Sequence, residues 1–176
     1  SDIYNCKEIF HLIKESKYYI EKRSLFDIEC SDNKTPYICT NDIVVDRGVS
    51  ARMMKTDVYQ NNKFVNRYEG DGLIVSTANG STAYSLSAGG PIITPNLDLV
   101  MITPICSHSL STRTIILDSK SKILIKFPDN KSSRTLTIDG QLAFNIDKNL
   151  EIKISLSKKK AHFLMTNKSN YYNKLR

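Results

Sequence analysis

The chain has 176 residues, a hydrophobic content of 40% and a formal net charge of +7, enough apolar material for one buried core. No apolar run is long enough to span a bilayer as a helix, and the four cysteines Cys6, Cys30, Cys39 and Cys106 show neither a Cys-x-x-Cys spacing nor a nearby histidine cluster. The composition therefore predicts one soluble domain in a reducing, cytoplasmic setting, without a zinc site or a disulfide framework.

The charge suits a ligand carrying several phosphates. It falls in residues 120–126, 131–134 and 157–160, which read as loops and turn ends of a sheet, a solvated rim. No RNP-type aromatic motif, helix-turn-helix or finger spacing accompanies it, so nucleic acid is not an expected partner.

In chain order, Cys6 to Lys17 places Ile9, Phe10, Leu12 and Ile13 on one face of a helix of about three turns. Strands follow from Tyr18 through Cys30, with a turn at Asp32-Asn33-Lys34 before an extended stretch from Tyr37 to Asp46. Val58-Tyr59 and Phe64-Val65 flank Asn61-Asn62, a pair that tolerates the positive backbone angles of a tight hairpin.

The run from Asp71 to Pro91 joins a strand, a turn and a short helix. Leu73-Ile74-Val75 is apolar and β-branched between Gly72 and Gly80, the pattern of a buried strand. Ser81 or Thr82 can cap a helix over residues 83–88, whose first amide groups favour an anion such as phosphate, and Gly89-Gly90-Pro91 stops it. Spacing alone equally allows a capped helix with Gly and Ser chosen for tight packing. Further short strands are expected at 100–102, 114–117, 123–127, 135–138, 150–156 and 162–165, separated by polar clusters. Many short strands at this interval predict a mainly β, sandwich-like domain rather than alternating βαβ units.

Four segments in order carry a family resemblance: Thr40 to Gly48; Gly70-Asp71-Gly72 with Gly80-Ser81-Thr82-Ala83-Tyr84-Ser85 and Gly89-Gly90-Pro91; Ile102 to Ser111; and Thr137-Ile138-Asp139-Gly140-Gln141. Together they resemble the NAD kinases, which phosphorylate the 2′-hydroxyl of the NAD adenosine ribose with ATP. The resemblance implies the β-sandwich-like C-terminal domain of that fold, with one or two short helices. The α/β N-terminal domain, with its Gly-Gly-Asp-Gly-Thr motif and general-base aspartate, is expected to be missing from this chain, which then supplies no catalytic group and is inactive by itself.

By resemblance the NAD-binding residues are Asn41, Asp42, Asp71, Thr82, Ala83, Tyr84, Ser87 and Gln141. Asn41 and Asp42 offer an amide and a carboxylate to ribose hydroxyls, Asp71 stands between two glycines, and Tyr84 offers a π-face that could equally be a core aromatic. His108 is not assigned a catalytic role, and the chain itself supplies no metal ligands. The implied partners are NAD, ATP with Mg²⁺ in the whole enzyme, and further copies of the chain in a dimer or tetramer. Residues 1–17 read as a linking helical segment, 18–157 as the NAD-binding domain and 158–176 as a basic C-terminal segment. Two competing readings are a non-catalytic dinucleotide-binding module and a relative of the lipid kinases; the polar helix around Tyr84 argues against a lipid acceptor.

Overall fold

The computed structural model describes residues 6–31, 36–50, 52–109, 112–129, 134–146, 150–166, 171 and 175. By its internal contacts the chain forms a large unit, Arg23–Lys160, and a smaller one made of Ser1–Lys22 with Ala161–Arg176. Helix α1 spans Cys6–Lys14 in the smaller unit and buries none of its residues. It ends three residues before the expected stop, with Ser16 in the left-handed region at φ 53° and its amide bonded to the Ile13 carbonyl at 3.1 Å.

Twelve strands follow: β1 (Tyr18–Cys30), β2 (Tyr37–Cys39), β3 (Asp42–Asp46), β4 (Met54–Gln60), β5 (Lys63–Gly70), β6 (Gly72–Ser76), β7 (Leu99–Ile105), β8 (Ile115–Asp118), β9 (Ile123–Lys126), β10 (Arg134–Ile138), β11 (Leu142–Ile146) and β12 (Ile152–Thr166). They build two six-stranded sheets, in the orders β2-β1-β12-β9-β4-β5 and β11-β10-β3-β6-β7-β8. The expected mainly β, sandwich-like architecture is what the chain adopts. Period-two patterning explains it: Ser24, Phe26, Ile28 and Cys30 of β1 are buried while Glu29 is exposed. Phe26, Ile28, Ile123, Ile125 and Ile152 from the first sheet share one apolar cluster with Ile43, Val45, Leu73, Val75, Ile102 and Leu136 from the second. Each such fully buried side chain contributes about 1.5–3 kcal/mol over its exposed state.

The central strands of the second sheet are buried on both faces, which is why β6 reads as an unbroken apolar run: all five of its residues are buried. Its register sets Asp42 opposite Ser76 and Asp46 opposite Gly72. Gly72 is required there because a Cβ would come within 2.6 Å of the Val45 carbonyl oxygen. The Asn61-Asn62 hairpin forms as expected, with φ of 49° and 66°.

Several expectations are corrected. The stretch from Tyr37 to Asp46 is two strands, because the chain leaves the first sheet after Cys39 and enters the second at Asp42. Strand β11 was not anticipated, and the stretches 150–156 and 162–165 are one continuous strand, β12. Lys158 to Lys160 lie inside that strand, not in a loop: Lys158 and Lys159 are exposed, Lys160 is half-buried and pairs with Asp98, and side chains standing off the pleat leave the backbone ladder intact. Arg134 is fully buried rather than part of a solvated rim; its guanidinium stacks 4.5 Å from the Phe127 ring centroid and pairs with Asp129. The turn expected at residues 32–34 and the lysine at 131 lie outside the described residues. Among the described residues no helix is long and apolar enough to cross a membrane.

Candidate functional site

Thr40 and Asn41 are the residues by which the chain crosses from one sheet to the other. A crossover carries backbone groups that no ladder satisfies, and here side chains from two other segments take them. The carboxylate of Asp139 accepts the amides of Thr40 at 2.9 Å, Asn41 at 2.7 Å and Asp42 at 3.3 Å, and the thiol of Cys39 at 3.1 Å. From the opposite side Thr77, just after β6, donates its hydroxyl to the Thr40 carbonyl at 2.7 Å and its amide to the Asn41 carbonyl at 2.9 Å. The amide of Asp139 donates to the Asp42 carbonyl at 2.9 Å. Asp139 can reach this point because Asp139 and Gly140 are both left-handed, at φ 50° and 66°, the geometry that an Asp-Gly pair supplies in a tight hairpin.

The run after β6 packs down on the same crossover. Gly80 lies so close to it that a Cβ would sit 2.1 Å from the Asn41 carbonyl oxygen. Residues Asn79–Thr82 form one 3-10 turn, the backbone breaks at Ala83 (φ −95°, ψ −134°), and a single helical turn, α2, spans Tyr84–Ser87. The continuous helix expected over 83–88, and its capping by Ser81 or Thr82, are therefore corrected. Neither turn has a side-chain cap. Ser81 instead exchanges hydrogen bonds with the backbone of Ile93, accepting at 3.0 Å and donating at 3.1 Å. The Tyr84 amide, which the sequence offered to a phosphate, faces the carboxylate of Asp42 and favours its charged form.

These tethers divide the run into anchors and presented groups. Ser81 and Ser85 are buried, the latter 3.0 Å from the Thr103 hydroxyl, whereas Thr82, Tyr84 and Ser87 are exposed and Ala83 is half-buried. With 46% of its surface open, Tyr84 is a presented aromatic and not a core one. Asn41 is half-buried; its side-chain oxygen accepts from Asn79, whose own oxygen accepts from Arg23. Asp42 is almost covered, and burial first, then the nearby Asp139 carboxylate, push its pKa above the ordinary aspartate value, with the Tyr84 amide opposing. Burial and the Asp139 contact likewise push the Cys39 thiol far up, leaving it a neutral donor.

The sequence-predicted residues thus divide. Asn41 and Asp42 meet the run after β6 through Asn79, Gly80 and Tyr84, and Thr82 and Ala83 lie in that run between Gly80 and Tyr84, with Ser87 exposed one turn beyond Tyr84. Gln141 is exposed next to the Asp139–Gly140 turn, its amide closing that turn on the Ile138 carbonyl at 3.0 Å. Asp71 stands apart at the other end of β6, about 17 Å away along a five-residue strand, where Arg47 Nε donates to its carboxylate at 2.7 Å. Asp139, Thr77, Asn79 and Arg23 were not singled out. The left-handed Asp-Gly pair was the available signal for Asp139, and a polar side chain placed directly before the glycine was the signal for Asn79. His108 lies elsewhere, its amide bonded to the Glu69 carbonyl at 3.1 Å. Among the described residues no three His, Cys, Asp or Glu side chains converge on a metal position. The carboxylates of Asp42 and Asp139 are both held by N–H donors, so the cluster does not fit as a metal centre.

Residues 40–166 match the family model of the ATP-NAD kinase C-terminal domain. The chain belongs to that family. It is 38% identical over 177 aligned positions to the NAD kinase of Clostridium beijerinckii, covering 99% of this chain and 62% of that protein. With the NAD kinase of Clostridium kluyveri the identity is 42% over 164 positions, 91% of this chain and 57% of the relative. Among solved structures, yeast NADH kinase complexed with NADH superposes with a TM-score of 0.86 at 29% identity over 96% of this chain and 50% of that one. An NAD kinase from Archaeoglobus fulgidus in complex with ATP gives 0.77 at 26% identity, over 95% of this chain and 62% of its own. The ATP-NAD kinase C-terminal match begins at the crossover itself, and the chain spans about three fifths of the length of the Clostridium beijerinckii relative.

Proposed function

We propose that this chain serves an ATP-dependent NAD kinase, binding the dinucleotide whose adenosine ribose is phosphorylated on its 2′-hydroxyl. The observation that carries the reading is the packing of the run Asn79–Tyr84, which carries Thr82 and Ala83, over the pinned crossover at Asn41 and Asp42, within the span that matches the family. On this reading the Asn41 side chain, which can donate and accept, holds ribose hydroxyls, and the exposed Tyr84 ring stacks on a base. Phosphoryl transfer depends on positioning above all. The chain contains no Gly-Gly-Asp-Gly-Thr, so the reacting groups on ATP are placed by residues other than those described, and Mg²⁺ enters on the ATP phosphates rather than on this cluster.

The finer parts of the proposal are cytoplasmic action and homo-oligomeric assembly. Asp71 supports the second: the resemblance assigns it to the dinucleotide, yet within one copy it lies a strand length from Tyr84, so a second copy would have to bring it to the ligand. The test is ATP-dependent formation of NADP by the whole protein, followed together with NAD binding by this chain. Binding with turnover supports the kinase. Binding without turnover in any form that carries the family's N-terminal motif would favour a non-catalytic dinucleotide module, and absence of both would end the proposal.

A further inference from the structure

The crossover at residues 40–42 is held by Asp139, Thr77 and the close approach of Gly80, and one side chain takes three of its amides. Asp139 takes three consecutive amides and a thiol on a single carboxylate, while its own amide fixes the Asp42 carbonyl. Three N–H groups converging on one anion define the direction of each peptide plane, and with it the direction in which the Asn41 and Asp42 side chains leave the backbone. A purely structural turn residue would need only the single bond that closes its own hairpin, and Gln141 to Ile138 already supplies that.

We propose that Asp139 is the positioning residue of the dinucleotide subsite, setting the Asn41–Asp42 backbone from which the ligand is met without touching the ligand itself. The proposal rests on the reading of Asn41, Asp42 and Tyr84 as that subsite. An amide in place of the carboxylate presents an N–H₂ to donors on one side, so at least one of the three peptide planes must turn. The electrostatics provide a second readout. Asp42 is faced by Asp139 from the turn after β10, by Cys39 at the end of β2 and by the Tyr84 amide from α2, and only Asp139 is a charged group that keeps Asp42 protonated to higher pH.

The experiment is calorimetric titration of NAD into the full chain and into Asp139→Asn, Asp139→Glu, Asn41→Ala and Asp118→Asn, each with a thermal melt. Asp118 is the control, an aspartate that closes a turn by accepting the Lys120 amide at 2.8 Å and is unconnected to the crossover. Asp139→Asn is expected to lose about 10-fold or more in NAD affinity, and the low-pH limb of its binding profile to move to lower pH than in the parent. Asp118→Asn is expected to bind like the parent even if it melts earlier. An Asp139→Asn protein that folds and binds NAD within about twofold of the parent, with an unmoved pH limb, overturns the proposal. Should it not fold, Asp139→Glu decides: it keeps the charge but shifts the oxygens by one methylene, and parent-like affinity there is equally fatal. Failure of the parent to bind NAD, or parent-like affinity in Asn41→Ala, instead removes the underlying reading, a result distinguishable from failure of Asp139 alone.

Discussion

Asp42 combines a cost to the fold with a place at the site. Its carboxyl is buried beside Asp139 and titrates above the ordinary aspartate value of 3.8, so the folded state binds a proton more readily than the unfolded chain does. Below that ordinary value both states carry the proton and burial costs little. As the pH rises through the raised folded value, the unfolded chain gains by ionising, and the stability that the protonated carboxyl gave is lost. Asp42→Asn keeps an oxygen for the Tyr84 amide and removes the charge. It is therefore expected to melt higher than the parent at neutral pH, with the gain vanishing near pH 3; paired thermal melts at the two pH values check this. A variant that melts lower at neutral pH would show that the carboxylate is a net stabiliser.

At the same scale the sequence displayed some roles and hid others. Asn41, Asp42 and Tyr84 were legible because the family resemblance placed them; their residue types alone equally allowed a strand-edge turn and a core aromatic. Asp139 was read only as part of a hairpin motif, because its task is directed at residues 97 to 99 positions earlier in the chain, and no local pattern encodes such a partner. Asp71 was legible as lying at the other end of the strand–turn–helix unit from Tyr84; what the sequence did not show is that the length of β6 keeps it from meeting the same ligand within one copy.

Among the elements, β6 and the middle of β7 were found from the sequence as short apolar runs buried on both faces. Those missed fail the pattern for identifiable reasons. Strand β11, Leu-Ala-Phe-Asn-Ile, buries only Ile146, with Phe144 partly buried against the core, and is exposed at Leu142, Ala143 and Asn145, so its short inward face is easily passed over. Strand β12 carries three lysines in its middle, which read as a loop although side chains standing off the pleat leave the backbone ladder intact. The break at Ala83 departs from the single helix expected over 83–88: Asn79, Gly80, Ser81 and Thr82 are weak helix formers, and the close approach of Gly80 to the crossover constrains the path of the run. Gly80→Ala tests that dependence. Its methyl group would overlap a backbone carbonyl that cannot move without breaking the Thr77 and Asp139 contacts, and a loss of about 3 kcal/mol or more in denaturant unfolding is expected. Gly89→Ala, with nothing within 4 Å of its Cβ and only a φ of +85° to strain, is expected to cost about 1 kcal/mol. Equal losses at the two positions would show that the close approach is not what shapes the run.

At the scale of the whole molecule, the large unit Arg23–Lys160 packs its strands from both sheets around one apolar core, and the described site sits where the chain passes from one sheet to the other. The sheets also leave edges. Strands β5 and β8 end their sheets, and Phe64 on β5 is 56% exposed, which fits assembly with further copies. Sedimentation velocity at micromolar concentration is expected to show a dimer or tetramer, and a strict monomer would remove the proposed route by which Asp71 joins the site.

The central claim is that the pinned crossover and the run above it bind NAD. It is tested most directly by calorimetric titration of NAD into the parent and into Tyr84→Ala, whose exposed ring can be removed without opening the core. The account predicts a Tyr84→Ala protein that melts close to the parent but binds NAD more weakly by about 1–3 kcal/mol, the value of one base–aromatic stack. A variant that keeps the parent's affinity and stability would contradict it, and the run from Asp71 to Pro91 would then be a packing device alone.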